Sequence, residues 1–256
     1  ISTGRKADKF GIVYDQLPKV CYILKNLDNV NLNGISCHIG SQIHNAKIFE
    51  KVFKKINEAI KIFSKKDIKI KSLDLGGGFG VTYKNEKEIN LSKISYLINK
   101  HFKKSFKISI EPGRYLVANS GMLITKILTT KKNGPINYLI TDAGMQTFLR
   151  PSMYKTFHKI KSFSKNKKKM KYVIAGPICE SSDILSGNIL LPKQQIGNYL
   201  AICDTGAYGF VMASNYNSKS LPSEILIHKD KYAIIRKNEK IEKSINKDII
   251  PKWLRY

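Results

Sequence analysis

The sequence carries a cysteine and a glutamate side by side in Ile178-Cys179-Glu180-Ser181-Ser182-Asp183, and three earlier blocks set reactive or anion-binding side chains beside glycine. These are His38-Ile39-Gly40-Ser41-Gln42, Leu75-Gly76-Gly77-Gly78-Phe79-Gly80 and Glu111-Pro112-Gly113-Arg114. Consecutive glycines free the backbone to approach an anion closely, so that successive N–H groups can nest around a phosphate. Arginine offers a planar fork that lysine cannot replace at a carboxylate or phosphate. That difference carries weight here, because only five of the 45 basic residues are arginine: Arg5, Arg114, Arg150, Arg236 and Arg255. Arg114 and Arg150 both lie inside motif blocks. Cys179 follows Gly176-Pro177 and precedes Glu180-Ser181-Ser182-Asp183, a loop context in which burial for packing alone is unusual. Singly, each feature has an ordinary reading: a satisfied core histidine, a tight turn, a salt-bridge carboxylate. Their order and company suggest one anion-binding site.

The elements that must position these residues alternate. Gly34 to Ile39 is a short apolar run; Ala46 to Phe63 sets Phe49, Val52, Phe53, Ile56 and Ile60 on one helical face, with lysines at the intervening positions. A strand is expected over Ile68 to Leu75, a helix over Ser92 to Phe102 and a third strand over Phe106 to Glu111. Such alternation implies parallel strands with crossover helices. His38, the glycines and Glu111 then fall at or just past carboxyl strand ends, where parallel sheets and barrels place active sites. Beyond about residue 118 the texture becomes β-rich, with runs at 122–130, 136–141, 172–175, 198–203 and 224–236 separated by turn residues, as in a sandwich or β-barrel. The lysine-rich stretch 162–171 reads as an exposed loop.

Composition narrows the function. The net charge of +26 invites a nucleic-acid reading. The lysines, however, are spread along a chain rich in Ile and Asn with no recognisable binding module, so solvated faces explain them and no nucleic-acid partner is expected. No apolar run approaches the roughly 20 residues of a membrane span, and no membrane association is expected. Cys21, Cys37, Cys179 and Cys203 are scattered without a C-x-x-C pair, against zinc and a disulfide framework and in keeping with a reducing, cytoplasmic setting.

Together the four blocks resemble the pyridoxal-phosphate decarboxylases of the alanine-racemase-like fold, and the Cys179-Glu180 block resembles their diaminopimelate-decarboxylating branch. Asp142-Ala143-Gly144-Met145, Leu149-Arg150-Pro151-Ser152-Met153-Tyr154, Gly206-Ala207-Tyr208-Gly209 and Met212 to Asn217 resemble further blocks of that family, and Ser2-Thr3-Gly4 and Lys9-Phe10-Gly11 extend the likeness toward the start. The resemblance implies the last strands of a pyridoxal-phosphate-binding (β/α)8 TIM barrel over residues 1–117 and a C-terminal β-sandwich or β-barrel domain over 118–256. It assigns Glu111 to the pyridine nitrogen of the cofactor, His38 to its ring face, and Ser41, Gly77, Gly78, Gly113 and Arg114 to its phosphate. Tyr208 would lie near that phosphate or the substrate. Cys179 would return a proton to the carbon that has lost carbon dioxide, from the partner subunit of a homodimer. Arg114, Arg150, Tyr154 and Glu180 would recognise the second amino-acid centre of the substrate. Ornithine decarboxylases carry aspartate after the cysteine, so Glu180 favours diaminopimelate. The family holds its cofactor through a lysine on an early barrel strand, and none of the 40 lysines here stands in that context. An ornithine- or arginine-type decarboxylase and a non-catalytic relative therefore remain as alternatives.

Overall fold

A computed structural model describes residues 9–102, 105–239, 241–246 and 248–254. The Ser2-Thr3-Gly4 block lies outside the described residues. The chain forms two compact units that divide between Ala118 and Asn119.

In the first unit, α1 (Leu17–Lys25) precedes the alternation expected from sequence: β1 (Gly34–Ser36), α2 (Ala46–Ser64), β2 (Ser72–Asp74), α3 (Leu91–Phe102), β3 (Lys107–Ser109) and the short α4 (Gly113–Val117). The strands form a parallel sheet in the order β1-β2-β3, with Ser36 opposite Asp74 and Asp74 opposite Ser109. All three carboxyl ends therefore reach one edge. Each strand is shorter than its apolar run, because the chain turns out of the ladder where the motif blocks begin.

Helix α2 starts where the Asn45 side chain accepts the Lys47 N–H at 2.9 Å, satisfying one otherwise orphaned donor. Its buried stripe of Ala46, Phe49, Phe53, Ile56, Ala59 and Phe63 recurs at three- and four-residue spacing, with Val52 and Ile60 partly buried against the same core. Phe53 meets Phe102 of α3 edge-on at 5.3 Å, and Phe49 stacks on Phe79 at 5.3 Å. Phe79 directly follows the glycine triplet, so this stacking ties the glycine turn to the core.

The second unit contains β4 (Met122–Asn133), β5 (Ile136–Thr141), α5 (Arg150–Tyr154), β6 (Ile160–Ser162), β7 (Lys169–Ala175), β8 (Ile184–Pro192) and β9 (Tyr199–Cys203), followed by the hairpin β10 (Glu224–His228) and β11 (Lys231–Arg236). Six strands form one mixed sheet in the order β6-β9-β4-β5-β7-β8, over a core in which Ile127, Leu139, Ile174 and Leu200 are fully buried. Strands β5 and β7 are parallel, and β9 and β5 are each antiparallel to β4. Hence β5, β7 and β9 all run the same way.

One sequence expectation needs correction, and one strand, β8, was not expected from sequence at all. Of the stretch 162–171 expected as an exposed loop, Ser162 ends β6 and residues 169–171 belong to β7: Lys169 and Lys171 alternate outward while Tyr172 and Ile174 turn into the core. Strand β8 carries no clean alternation, because register shifts against β7 and the left-handed Asn188 interrupt its period.

Phe53 is 1% exposed and Tyr96 is 65% exposed. Phe53→Ala should cost about 3–5 kcal/mol, whereas Tyr96→Ala should stay within about 0.5 kcal/mol, as read from denaturant unfolding curves.

Candidate active site

The three parallel strands of the first unit deliver three loops to one edge, and the glycine triplet occupies the middle loop. A side-chain carbon at Gly76 would fall on the Cys37 carbonyl, one at Gly77 on the Glu111 carbonyl and one at Gly78 on the Gly40 carbonyl. Gly76 and Gly78 also have φ of +66° and +83°, the left-handed region that other residues avoid. From sequence alone, the glycines are expected to cradle an anion. The structure shows that they first let the flanking loops close onto the middle one. The N–H groups are partly committed as well: Gly76 donates to Asp74 Oδ1 at 2.8 Å and Gly77 to His38 Nδ1 at 3.3 Å. Gly78 N–H makes neither of these bonds. The expected nest of three donors is thus narrower than its sequence suggests.

Further bonds fix the edge. Glu111 N–H donates to Gly76 O and Gly113 N–H to Glu111 O, both at 2.9 Å. The Gln42 amide accepts from Val81 N–H at 2.9 Å and donates to Val81 O at 3.0 Å, clasping the first loop to the second. Arg114 is 6% exposed; it donates from Nε to Ser41 Oγ at 3.0 Å and from Nη1 to Tyr83 OH at 3.2 Å. His38 and Glu111 are exposed, and Gly113 has open space where a side chain would project. The structure therefore brings His38, Ser41, Gly77, Gly78, Glu111, Gly113 and Arg114 to one edge. Tyr83 was not singled out from sequence, since a tyrosine past a glycine run has no chemical signature until its hydroxyl is found on Arg114.

In the second unit, the loops after β5, β7 and β9 leave the sheet in the same direction. The first carries Arg150 and Tyr154, the second Cys179 and Glu180, the third Tyr208. Arg150 is 2% exposed, and its Nη1 lies 2.9 Å from His158 Nε2. His158 Nδ1 lies 3.0 Å from Cys203 O, so the ring donates to that carbonyl and accepts from the guanidinium. Phe148 packs edge-on against the imidazole at 4.7 Å. Both arginines, expected from sequence to meet a carboxylate or phosphate, are interior groups held by polar neighbours. His158 gave no sequence signal, because it lies outside every motif block.

Tyr154 closes α5 with its side chain exposed, and Lys155 caps the helix at φ +53°. Tyr208 is exposed and has φ +59°, an uncommon conformation for an aromatic residue. Cys179 is exposed, whereas burial pushes the Cys37 thiol up from its ordinary value and keeps it protonated. Cys21 and Cys203 are buried. Of the four cysteines, Cys179 is the exposed one and Cys37 is half-buried. Glu180 folds back on Ser182, accepting its N–H and its hydroxyl, each at 3.0 Å. These bonds hold the Glu180 carboxyl below the usual carboxylate range.

Residues 1–118 match the family model described as pyridoxal-dependent decarboxylase, pyridoxal binding domain. The first unit, whose edge has this geometry, thus matches the cofactor-binding domain of the pyridoxal-dependent decarboxylases. Over nearly its whole length the chain is similar to curated diaminopimelate decarboxylases: that of Archaeoglobus fulgidus is 34% identical over 99% of this chain and 62% of its own length, and that of Aquifex aeolicus 37% over 93% and 58%. The crystal structure of the Helicobacter pylori diaminopimelate decarboxylase complexed with L-lysine superimposes with a TM-score of 0.89 at 35% identity, covering 96% of this chain and 62% of that one. The chain thus spans less than two thirds of the length of these relatives. Among the described residues no helix is long and apolar enough to cross a membrane.

Ser182→Ala removes one of the two bonds that hold the Glu180 carboxyl down. The Glu180 titration midpoint, followed by carbon-13 NMR of its carboxyl, should move up toward the ordinary value; a midpoint that stays put would show that the serine hydroxyl contributes nothing.

Proposed function

We propose that this chain supplies cofactor and substrate residues of a diaminopimelate decarboxylase, which converts meso-2,6-diaminopimelate to L-lysine and carbon dioxide with pyridoxal 5'-phosphate. The observation that carries the proposal is the exposed Cys179-Glu180 pair, on a loop that leaves the sheet alongside those bearing Arg150, Tyr154 and Tyr208. The relatives at 34 and 37% identity support the same reading. On this reading the three parallel strands are the last strands of a (β/α)8 barrel, residues 118–256 form its β-domain, and two copies form a homodimer in the cytoplasm.

The residues of the first unit fit the cofactor. Among the described residues the exposed Glu111 carboxylate forms no ion pair, which leaves it available to the pyridine nitrogen. Gly78 N–H, the open space at Gly113 and the Ser41–Arg114 pair suit a phosphate. The His38 ring, oriented by the Gly77 N–H, suits one face of a flat aromatic group. When bound, pyridoxal phosphate supplies an electron-withdrawing ring that stabilises the electron pair left behind by departing carbon dioxide.

The residues of the second unit then complete the reaction. Cys179 donates its thiol proton to the carbon that has lost carbon dioxide, acting as a general acid. Glu180 attracts the ammonium of the distal amino-acid centre, and Arg150 with Tyr154 receives its carboxylate. Arg150 and Tyr154 stand four residues apart and share a face of α5. Tyr208 borders the substrate.

Cys179→Ala in the native gene product should lower kcat by about 10²–10⁴-fold while cofactor absorbance is retained; undiminished turnover would remove the proposed acid. Glu180→Ala should raise KM for diaminopimelate by about tenfold or more, as expected for a lost charge-assisted bond. A native preference for ornithine over diaminopimelate would instead favour an ornithine-type enzyme.

A further inference from the structure

We propose that Asp183 is a positioning residue: its buried carboxylate clamps the Cys179-Glu180 loop to the loop that leads to Arg150, so that the thiol is held where its proton is delivered. The proposal rests on the decarboxylase reading for its catalytic meaning, and on geometry for the clamp itself. Asp183 is 2% exposed. Its Oδ1 accepts the Met145 N–H at 2.6 Å and its Oδ2 the Ile178 N–H at 2.9 Å. Met145 belongs to the loop after β5, and Ile178 immediately precedes Cys179 in the loop after β7. One carboxylate therefore joins the two loops.

The surroundings are built around that group. A side-chain carbon at Gly144 would come within 2.6 Å of Asp183 Oδ1, and one at Gly176 would fall on the same carboxylate. Both glycines are buried and make room for the anion. The backbone closes the loop on itself: Gly176 N–H donates to Asp183 O at 3.0 Å, Asp183 N–H to Glu180 O at 3.0 Å and Glu180 N–H to Ile178 O at 2.8 Å. Cys179 sits at the apex of this closed turn, exposed but with little freedom left in its flanking backbone. Among the described residues neither lysine nor arginine pairs with Asp183, so it bonds to backbone donors and not to a cation. Burial pushes its carboxyl up from the ordinary value despite the two N–H donors. An uncompensated carboxylate is a costly way to fill an interior. Its return is an acceptor for two donors on different loops, which no apolar side chain can provide.

Asp183→Asn keeps the volume but places an NH2 group against one of the two donors, leaving it unsatisfied. In the native gene product, amide hydrogen exchange should quicken by about tenfold or more within 142–147 and 176–184 and stay unchanged elsewhere, as for a local opening. With cofactor and diaminopimelate, kcat should fall by about tenfold or more with KM within about threefold, the pattern of an interaction used mainly in the transition state. In a Cys179→Ala background the same substitution should cost less than about twofold further, because residues that act through one another are not additive. Native exchange rates and native kcat in D183N would overturn the proposal. So would losses that multiply with those of C179A, which would make Asp183 a stabiliser of the fold alone. Should D183N not fold, D183E, which keeps the carboxylate but displaces it by one methylene, carries the same comparison with a smaller expected change. Full activity in C179A would sink the decarboxylase reading and leave the exchange result for the clamp intact.

Discussion

The candidate cofactor edge depends on one steric constraint: three strand-end loops approach so closely at Gly76, Gly77 and Gly78 that no side chain fits between them. Each glycine faces the backbone of a neighbouring loop, at Cys37, Glu111 and Gly40 respectively. Parallel register alone would bring the loops to one edge of the sheet. The glycines let them touch, and only then does His38 reach the Gly77 N–H and Glu111 hydrogen-bond to Gly76 O. The stacking of Phe79 on Phe49 anchors this turn in the hydrophobic core, so packing and site geometry are coupled through a single residue step.

The second unit solves the same problem with polar groups. Its loops are joined by buried polar contacts: Asp183 to Met145 and Ile178, His158 to Cys203 and Arg150. Gly144 and Gly176 again provide space, here for a carboxylate rather than a backbone. Buried polar networks of this kind are costly unless every donor is met, which favours a single arrangement of the loops. Arg150 illustrates the result. A guanidinium fixed by an imidazole loses little further freedom on meeting a carboxylate, and such preorganisation favours binding.

Much of this was legible in the sequence, for identifiable reasons. The helical stripe of α2 follows from the spacing of Phe49, Phe53 and Ile56, and the parallel order of β1 to β3 from alternation of apolar runs with helices. The motif blocks fell at carboxyl strand ends as expected. Illegible were features that depend on contacts distant in sequence: the commitment of the Gly77 donor to His38, the Tyr83 hydroxyl on Arg114, and the burial of both arginines. Strand β8 was hidden because its register shifts break the two-residue period, and lysines 169 and 171 concealed the start of β7 because outward positions of a strand carry the same charges as a loop.

The proposed activity makes a direct chemical demand. The native gene product, supplied with pyridoxal phosphate and carboxyl-labelled meso-diaminopimelate, should release labelled carbon dioxide and form L-lysine in equal amounts, as read by gas trapping and chromatography. Cofactor binding without lysine formation would contradict the account at its centre, since the Cys179-Glu180 pair would then be serving another substrate or no chemistry at all.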